Sequence, residues 1–323
     1  MNQWKFVRNA VGLFGSAVHE GQTKTGTELA PRALREGGLI SALYNLGWEI
    51  NDMGDIQGKN YRLHNTKSQS FRNSLQLGVI NGEINKRSYD IAKQDKFMLN
   101  IGGDHSVASG SIHGLLQHYG DDLRVVWVDA HADCNYELGP NRNYHGMPLA
   151  HLYGSIQEPV KGFEWLKHRL DPKNITYIGI RDIDPMEREF IRDQKIVYYG
   201  MDEIIELGIG QVMNRILKQF EGKPIHVSFD VDSIDPEFAH GTGTLVDGGI
   251  SYREAHYLLR KLASSQQLVG MDLVEVNPQL EKTPEFREEF FGDFQQIGRI
   301  QGTQTVALGI ELIASALGRT LVL

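Results

Sequence analysis

Seven apolar runs of strand length punctuate the chain, and longer segments with helical periodicity lie between them. The runs are Val11 to Gly15, Lys96 to Ile101, Leu123 to Asp129, Ile175 to Ile180, Lys195 to Tyr199, Ile225 to Asp230 and Leu268 to Val274. The helical segments include Arg72 to Lys93, Ser109 to His118, Met201 to Phe220 and Tyr252 to Ser264. Strands that are apolar nearly throughout, rather than at every second residue, belong in a parallel sheet covered on both faces. The expectation is a single α/β domain over residues 1–323. Its core would be one doubly wound, mostly parallel sheet of about eight strands with helices on both faces. No fixed-period repeat and no linker rich in Pro, Gly or Ser divides it.

Such sheets bind ligands beyond the carboxyl ends of their strands. Three of those ends are crowded with metal-binding side chains. One run leads into Gly102-Gly103-Asp104-His105-Ser106, another into Asp129-Ala130-His131-Ala132-Asp133, and a third into Asp230-Val231-Asp232-Ser233-Ile234-Asp235-Pro236. On extended backbone, residues i, i+2 and i+4 share a face, which would bring Asp129, His131 and Asp133 together and pair Asp230 with Asp232. Taken singly, Asp230 and Asp232 read as a cap or solvated loop, and His105 as a hydrogen-bonded core histidine. Taken together, the clustered carboxylates repel strongly unless cations neutralise them. The donor set of carboxylates and imidazoles, without thiolate, favours Mn²⁺. Two such ions roughly 3.5–4 Å apart can hold a bridging hydroxide and polarise the group it attacks. The surplus negative charge would welcome a cationic substrate.

The three clusters resemble the signatures of the ureohydrolases, and among these the chain is most similar to the arginases. Further points of resemblance are Gly26-Thr27-Glu28-Leu29-Ala30-Pro31, Arg181-Asp182-Ile183-Asp184-Pro185 and Glu275-Val276-Asn277-Pro278. The resemblance implies an arginase-like fold and hydrolysis of L-arginine to L-ornithine and urea by a hydroxide bridging two Mn²⁺. It places His105, Asp129, Asp133 and Asp230 on one ion, and His131, Asp129, Asp230 and Asp232 on the other. It makes Asp133 the holder of the hydroxide proton and His145 the proton shuttle, and pairs Glu275 with the guanidinium, helped by Thr244. It also implies substrate contacts from Asn135, Asn143, Asp184 and Glu187. Asp184 reads equally as a helix cap before Pro185. Arginases carry a Thr- and Ser-rich stretch ending in Ser-Gly-Asn before the shuttle histidine. Here the stretch is Asn135 to Asn143, shorter and without those hydroxyls. Arg142 is then either a substitute contact for the substrate carboxylate or a solvated loop arginine. A ureohydrolase acting on agmatine, a guanidino acid or formiminoglutamate is the neighbouring reading, and a catalytically silent metal-binding relative a more distant one.

A net charge of −8 argues against nucleic acid as a partner. No apolar run reaches membrane-spanning length and the N-terminus has no signal-like core, so the expectation is a cytoplasmic protein. The single cysteine, Cys134, fits a reducing compartment and reads as a core thiol near the site. Gly208-Ile209-Gly210 lies in a helical segment and lacks a dinucleotide fingerprint. His64, His168 and His256 read as surface residues. The family resemblance implies a homo-oligomer, a trimer or a hexamer, acting on a small guanidino compound.

Overall fold

Strands buried on both faces send alternate side chains into two separate cores. In β4 (Arg124–Val128), Val126 and Val128 enter one core while Val125 and Trp127 enter the other. The structure is a computed structural model and describes residues 8–61, 71–137, 142–156, 159–281, 298 and 300–318. The other strands are β1 (Ala10–Ala17), β2 (Glu49–Gln57), β3 (Phe97–Ile101), β5 (Ile175–Ile178), β6 (Val197–Tyr199), β7 (Ile225–Asp230) and β8 (Leu268–Val274). All eight form one parallel sheet in the order β2-β1-β3-β8-β7-β4-β5-β6.

Helices α1 (Ala30–Glu36), α2 (Leu39–Asn45), α7 (Met201–Leu207), α8 (Ile209–Gln219), α9 (Tyr252–Ser264) and α10 (Gln304–Ala316) supply side chains to the core on one face. Helices α3 (Ser74–Lys93), α4 (Ala108–Tyr119), α5 (Pro148–Tyr153) and α6 (Pro185–Asp193) cover the other. The fold is therefore the doubly wound α/β sheet expected. The chain leaves β4 toward β5 but leaves β7 toward β8. Connections departing in opposite directions from adjacent strands open a crevice at their carboxyl ends. The acidic clusters sit at that crevice.

Several local expectations are corrected. β2 carries no apolar pattern and is mostly exposed, because as an edge strand it needs only the backbone pairing to β1. Its Asp52 and Asp55 instead pair with Arg35 of α1, at 2.8 and 2.6 Å. The segment from Met201 to Phe220 is two helices, broken at Gly208, whose φ of 74° and ψ of 145° leave the helical region. His256 is buried, not a surface residue, because α9 packs against α10 and its Nδ1 meets Ser315 Oγ at 2.8 Å. His168 is exposed as expected, Cys134 is buried, and His64 lies outside the described residues. Among the described residues no helix is long and apolar enough to cross a membrane.

The packing of α3 on α4 encloses His113 completely. Its Nδ1 donates to Asn85 Oδ1 at 2.7 Å, and its Nε2 accepts from the backbone N–H groups of Lys167 and His168 at 3.1 Å each. That acceptor role requires the neutral ring. Burial, reinforced by His168 and Arg169, pushes its pKa down to about 4. In the unfolded chain it would titrate near 6.5. Below that pH the unfolded state binds the proton first, so stability is lost as pH falls from about 6.5 toward 4. The loss is on the order of 3 kcal/mol. Denaturant titrations of His113→Gln across that range should fall less steeply than those of the parent, and identical slopes would deny the residue this role.

Candidate metal centre

At the end of β3 the backbone turns so tightly that a Cβ on Gly103 would lie 1.9 Å from the Val18 carbonyl oxygen. Asp104 then caps the following turn, its Oδ1 accepting from Ser106 N–H at 3.0 Å. The turn carries His105 over the sheet, where its ring stacks on Trp127 with centroids 4.0 Å apart. Its Nε2 meets Ser228 Oγ at 2.9 Å, which leaves Nδ1 facing the carboxylates. Asp129 is fixed by the Trp127 indole N–H at 2.9 Å and the His131 N–H at 2.7 Å. After β7, Asp230 accepts from Asp232 N–H at 2.8 Å, and Asp232 from Ala130 N–H at 3.2 Å. Arg181 holds the loops around β7 by donating to carbonyls of Gly179, Asp232, Ser233, Val246 and Asp247.

The acids and imidazoles converge as expected, but not by strand alternation. Asp133 has φ of 49°, and residues Val231–Ser233 form a 3₁₀ turn. Turns, not extended backbone, bring the side chains together. His105 Nδ1 lies 3.0 Å from Asp129, 3.2 Å from Asp133 and 3.2 Å from Asp230. His131 Nδ1 lies 3.3 Å from Asp129 and 3.2 Å from Asp232. Two groups, His105-Asp129-Asp133 and Asp129-His131-Asp232, each place their ligand atoms within 4.8 Å of one another, and Asp129 belongs to both.

The donors fit cations. His105 Nδ1 is buried and hydrogen-bonds to none of the three carboxylates around it. Burial and then repulsion from Asp232 and Asp129 hold Asp230 well above the usual carboxylate range. Burial and Asp129 push Asp232 up to about 6. Burial opposes charging His105, yet its surrounding carboxylates outweigh that and raise it well above 6.5. The cluster stabilises positive charge placed within it.

A cavity of about 260 Å³ opens over these groups, and Asn135, His145, Asp184, Glu187, Thr244 and Glu275 also line it. Glu275 follows β8 with φ of 62°; its Oε1 accepts from His105 N–H at 2.9 Å and lies 3.4 Å from His145 Nδ1. Although burial works against its charge, His145 and these donors hold Glu275 below the ordinary carboxylate value. Burial likewise opposes charge on His145, but Glu275 raises it to about 9. Glu187 is pushed up to about 8 by burial and Asp133; it accepts from Asp184 N–H at 3.1 Å and Cys134 N–H at 3.0 Å. Asp184 heads α6 while its carboxylate receives Asn135 Nδ2 at 3.1 Å, so it stands both at a helix cap and in the cavity wall. Asn143 and Arg142 do not line the cavity, and residues 138–141, Asn141 among them, lie outside the described residues. Gln22, which donates to Glu275, and Ser228 had no local signal in the sequence. A larger cavity of about 770 Å³ lies beside β6 and α6, away from both clusters.

The arginase family model matches residues 9–318. The chain belongs to the arginase family. The arginase of Plasmodium berghei is 35% identical to it, covering 98% of this chain and 95% of the relative. An arginase structure from Bacillus caldovelox aligns with a TM-score of 0.84 at 32% identity, over 97% of this chain and 99% of that one. One from Entamoeba histolytica, solved in complex with L-ornithine, aligns with a TM-score of 0.82 at 30% identity, over 98% and 100%. As a family member the chain is a hydrolase of carbon–nitrogen bonds.

Because Asp129 serves both arginase-family clusters and His131 only one, their substitutions should differ. Asp129→Asn is expected to abolish metal binding, and His131→Ala to keep partial occupancy. Chelation should lower the melting temperature, and a divalent cation the cluster binds, at a hundred times its Kd, should restore about 2.7 kcal/mol. Elemental analysis with thermal melting reads both effects; a chelated, metal-free protein with an unchanged melting temperature would contradict them.

Proposed function

We propose that this chain binds two Mn²⁺ and hydrolyses the guanidinium group of L-arginine to L-ornithine and urea. The observation that carries the reading is the sharing of Asp129 between two imidazole–carboxylate groups, directly beneath a cavity walled by Glu275. His105, Asp129, Asp133 and Asp230 would hold one ion, and His131, Asp129, Asp230 and Asp232 the other. When bound, the ions lower the pKa of a water to make a nucleophile and polarise the group under attack.

The remaining work falls to the chain's own residues. Glu275 is buried and charged, so a guanidinium entering the cavity finds an acceptor already oriented by its own hydrogen bonds. Thr244, exposed at the cavity wall, offers a hydroxyl beside it. Water oxygen adds to the guanidinium carbon, Asp133 holds the proton given up, and the bond to the substrate's side-chain nitrogen breaks. His145 delivers a proton to that departing amine, leaving urea and ornithine. Asp184 with Glu187 would face the α-ammonium, and Asn135 the α-carboxylate; Asn143, which the resemblance also implied, stands outside the cavity wall. The Entamoeba histolytica relative was solved with L-ornithine, the product this reaction requires. We further propose one domain over residues 1–323, a cytoplasmic location and a homo-oligomer, trimeric or hexameric.

One observation favours a second reading. Among the described residues lining the cavity there is no lysine or arginine, so no fixed cation waits for an α-carboxylate. A decarboxylated guanidino compound such as agmatine would suit that wall.

Urea release from a panel of guanidino compounds with added Mn²⁺ separates the two. Arginine should be cleaved far faster than agmatine, and Asp184→Ala should raise KM for arginine while leaving agmatine nearly untouched. Equal rates, or a preference for agmatine, would move the assignment to the second reading. His145→Ala should lower kcat by roughly 10²-fold or more with little change in KM; unchanged turnover would remove it from the proton pathway.

A further inference from the structure

The loop that follows β1 touches several of the segments that wall the cavity. The Gly21 carbonyl accepts from the N–H groups of Tyr144 at 2.8 Å and His145 at 3.1 Å. The Gly21 N–H donates to Asp104 Oδ2 at 2.8 Å, one residue before His105. Lys24 Nζ donates to the Gly243 carbonyl, beside Thr244. Between them Gln22 is buried, and its Nε2 donates to Glu275 Oε2 at 2.8 Å.

We propose that Gln22 is the positioning residue for Glu275. This rests on the reading of Glu275 as the guanidinium acceptor. Glu275 sits on a backbone with φ of 62°, unfavourable for an L residue, so its aim depends on what grips its side chain. One oxygen is held by the His105 N–H and neighbours His145; the other is held by Gln22. A carboxylate only accepts, so the Gln22 amide must present its NH₂. The donor is also neutral. A lysine or arginine there would fix Glu275 equally well, but would cancel the charge that a guanidinium needs. The absence of a side chain at Gly243 preserves the arrangement, since a Cβ there would come within 3.3 Å of Gln22 Oε1. The same short loop thereby sets the spacing between Glu275, His145 and Thr244, groups that lie on three different connections of the sheet.

The test uses the full chain loaded with Mn²⁺ and two probes, arginine as substrate and guanidinium chloride as competitor. Gln22→Met keeps the side-chain length and removes the donor. It should raise KM for arginine and the inhibition constant of guanidinium about tenfold, the size of one lost charge-assisted hydrogen bond. Turnover should stay within about threefold, since the loss is in binding. Metal content should not change. Gln22→Asn, whose amide falls one methylene short, should behave the same way and guards against a folding defect peculiar to methionine. Combined with Glu275→Gln, either change should add nothing beyond Glu275→Gln alone, because Gln22 acts only through that carboxylate. Additive effects, or lost metal and lost turnover with KM unchanged, would overturn the proposal and assign Gln22 a general structural role. If Gln22→Met has no effect while Glu275→Gln weakens guanidinium binding, the inference alone fails. If Glu275→Gln leaves guanidinium binding intact, the functional reading of Glu275 falls, and the inference with it.

Discussion

Repulsion among buried carboxylates is the constraint around which the rest is arranged. Asp129, Asp133 and Asp230 all stand within 3.2 Å of one imidazole nitrogen, where water cannot screen them. Left to local preference the acids would turn outward. Asp129, Asp230 and Asp232 are instead tied by hydrogen bonds made before any ion arrives. Asp129 is held by an indole and a backbone N–H, Asp230 by the Asp232 N–H of the turn it caps, and Asp232 by the Ala130 N–H after β4. The crevice between β4 and β7 supplies those donors, and the opposite departures of the two strands keep it open. The unfavourable charge is therefore concentrated at the one place in the sheet where a cationic ligand can relieve it.

Support for the centre extends beneath it. Asp272 in β8 accepts from Ser111 Oγ at 2.6 Å, His226 Nε2 at 3.0 Å and Asn100 Nδ2 at 3.2 Å, and Asn100 in turn receives Ser16 Oγ at 2.7 Å. Ser228 joins this chain to His105 Nε2. These groups come from β1, β3, β7, β8 and α4, all fully buried in an otherwise apolar interior. Buried polar groups are tolerated when each has a partner. The network fixes the orientation of the His105 ring, and through it which nitrogen faces the acids.

Much of this was legible in the chain itself, for a physical reason. Apolar strands buried on both sides announce a parallel sheet, and acids at their ends announce a site, because both signals are local. The way the acids converge was not legible: a left-handed residue at Asp133 and a 3₁₀ turn after Asp230 replaced the extended geometry that spacing suggested. β2 escaped notice because a solvent-facing edge strand is held by its backbone and leaves no apolar trace. His256 was misplaced because helical periodicity does not tell which face meets another helix and which meets water. Gln22 and Glu275 are 253 residues apart, and nothing near either announces the other. The family resemblance reached Glu275 by its motif, but carried no sign of the loop that aims it.

The strand order has a consequence for how the molecule assembles. β4 lies beside β7, with Val128 in register with Phe229, although two other strands, β5 and β6, and helices α5 to α8 lie between them in the chain. Every such neighbour in the centre of the sheet is a non-local contact, and parallel pairings of this kind are slow to form because long loops must close first. The two imidazole–carboxylate groups do not exist as groups until β3, β8, β7 and β4 have joined in one sheet. Cations that bind the finished cluster hardly recognise the unpaired strands, so their binding energy is delivered after the topology is complete. Metal capture in this fold thus acts as a late latch that slows unfolding and does little to speed folding.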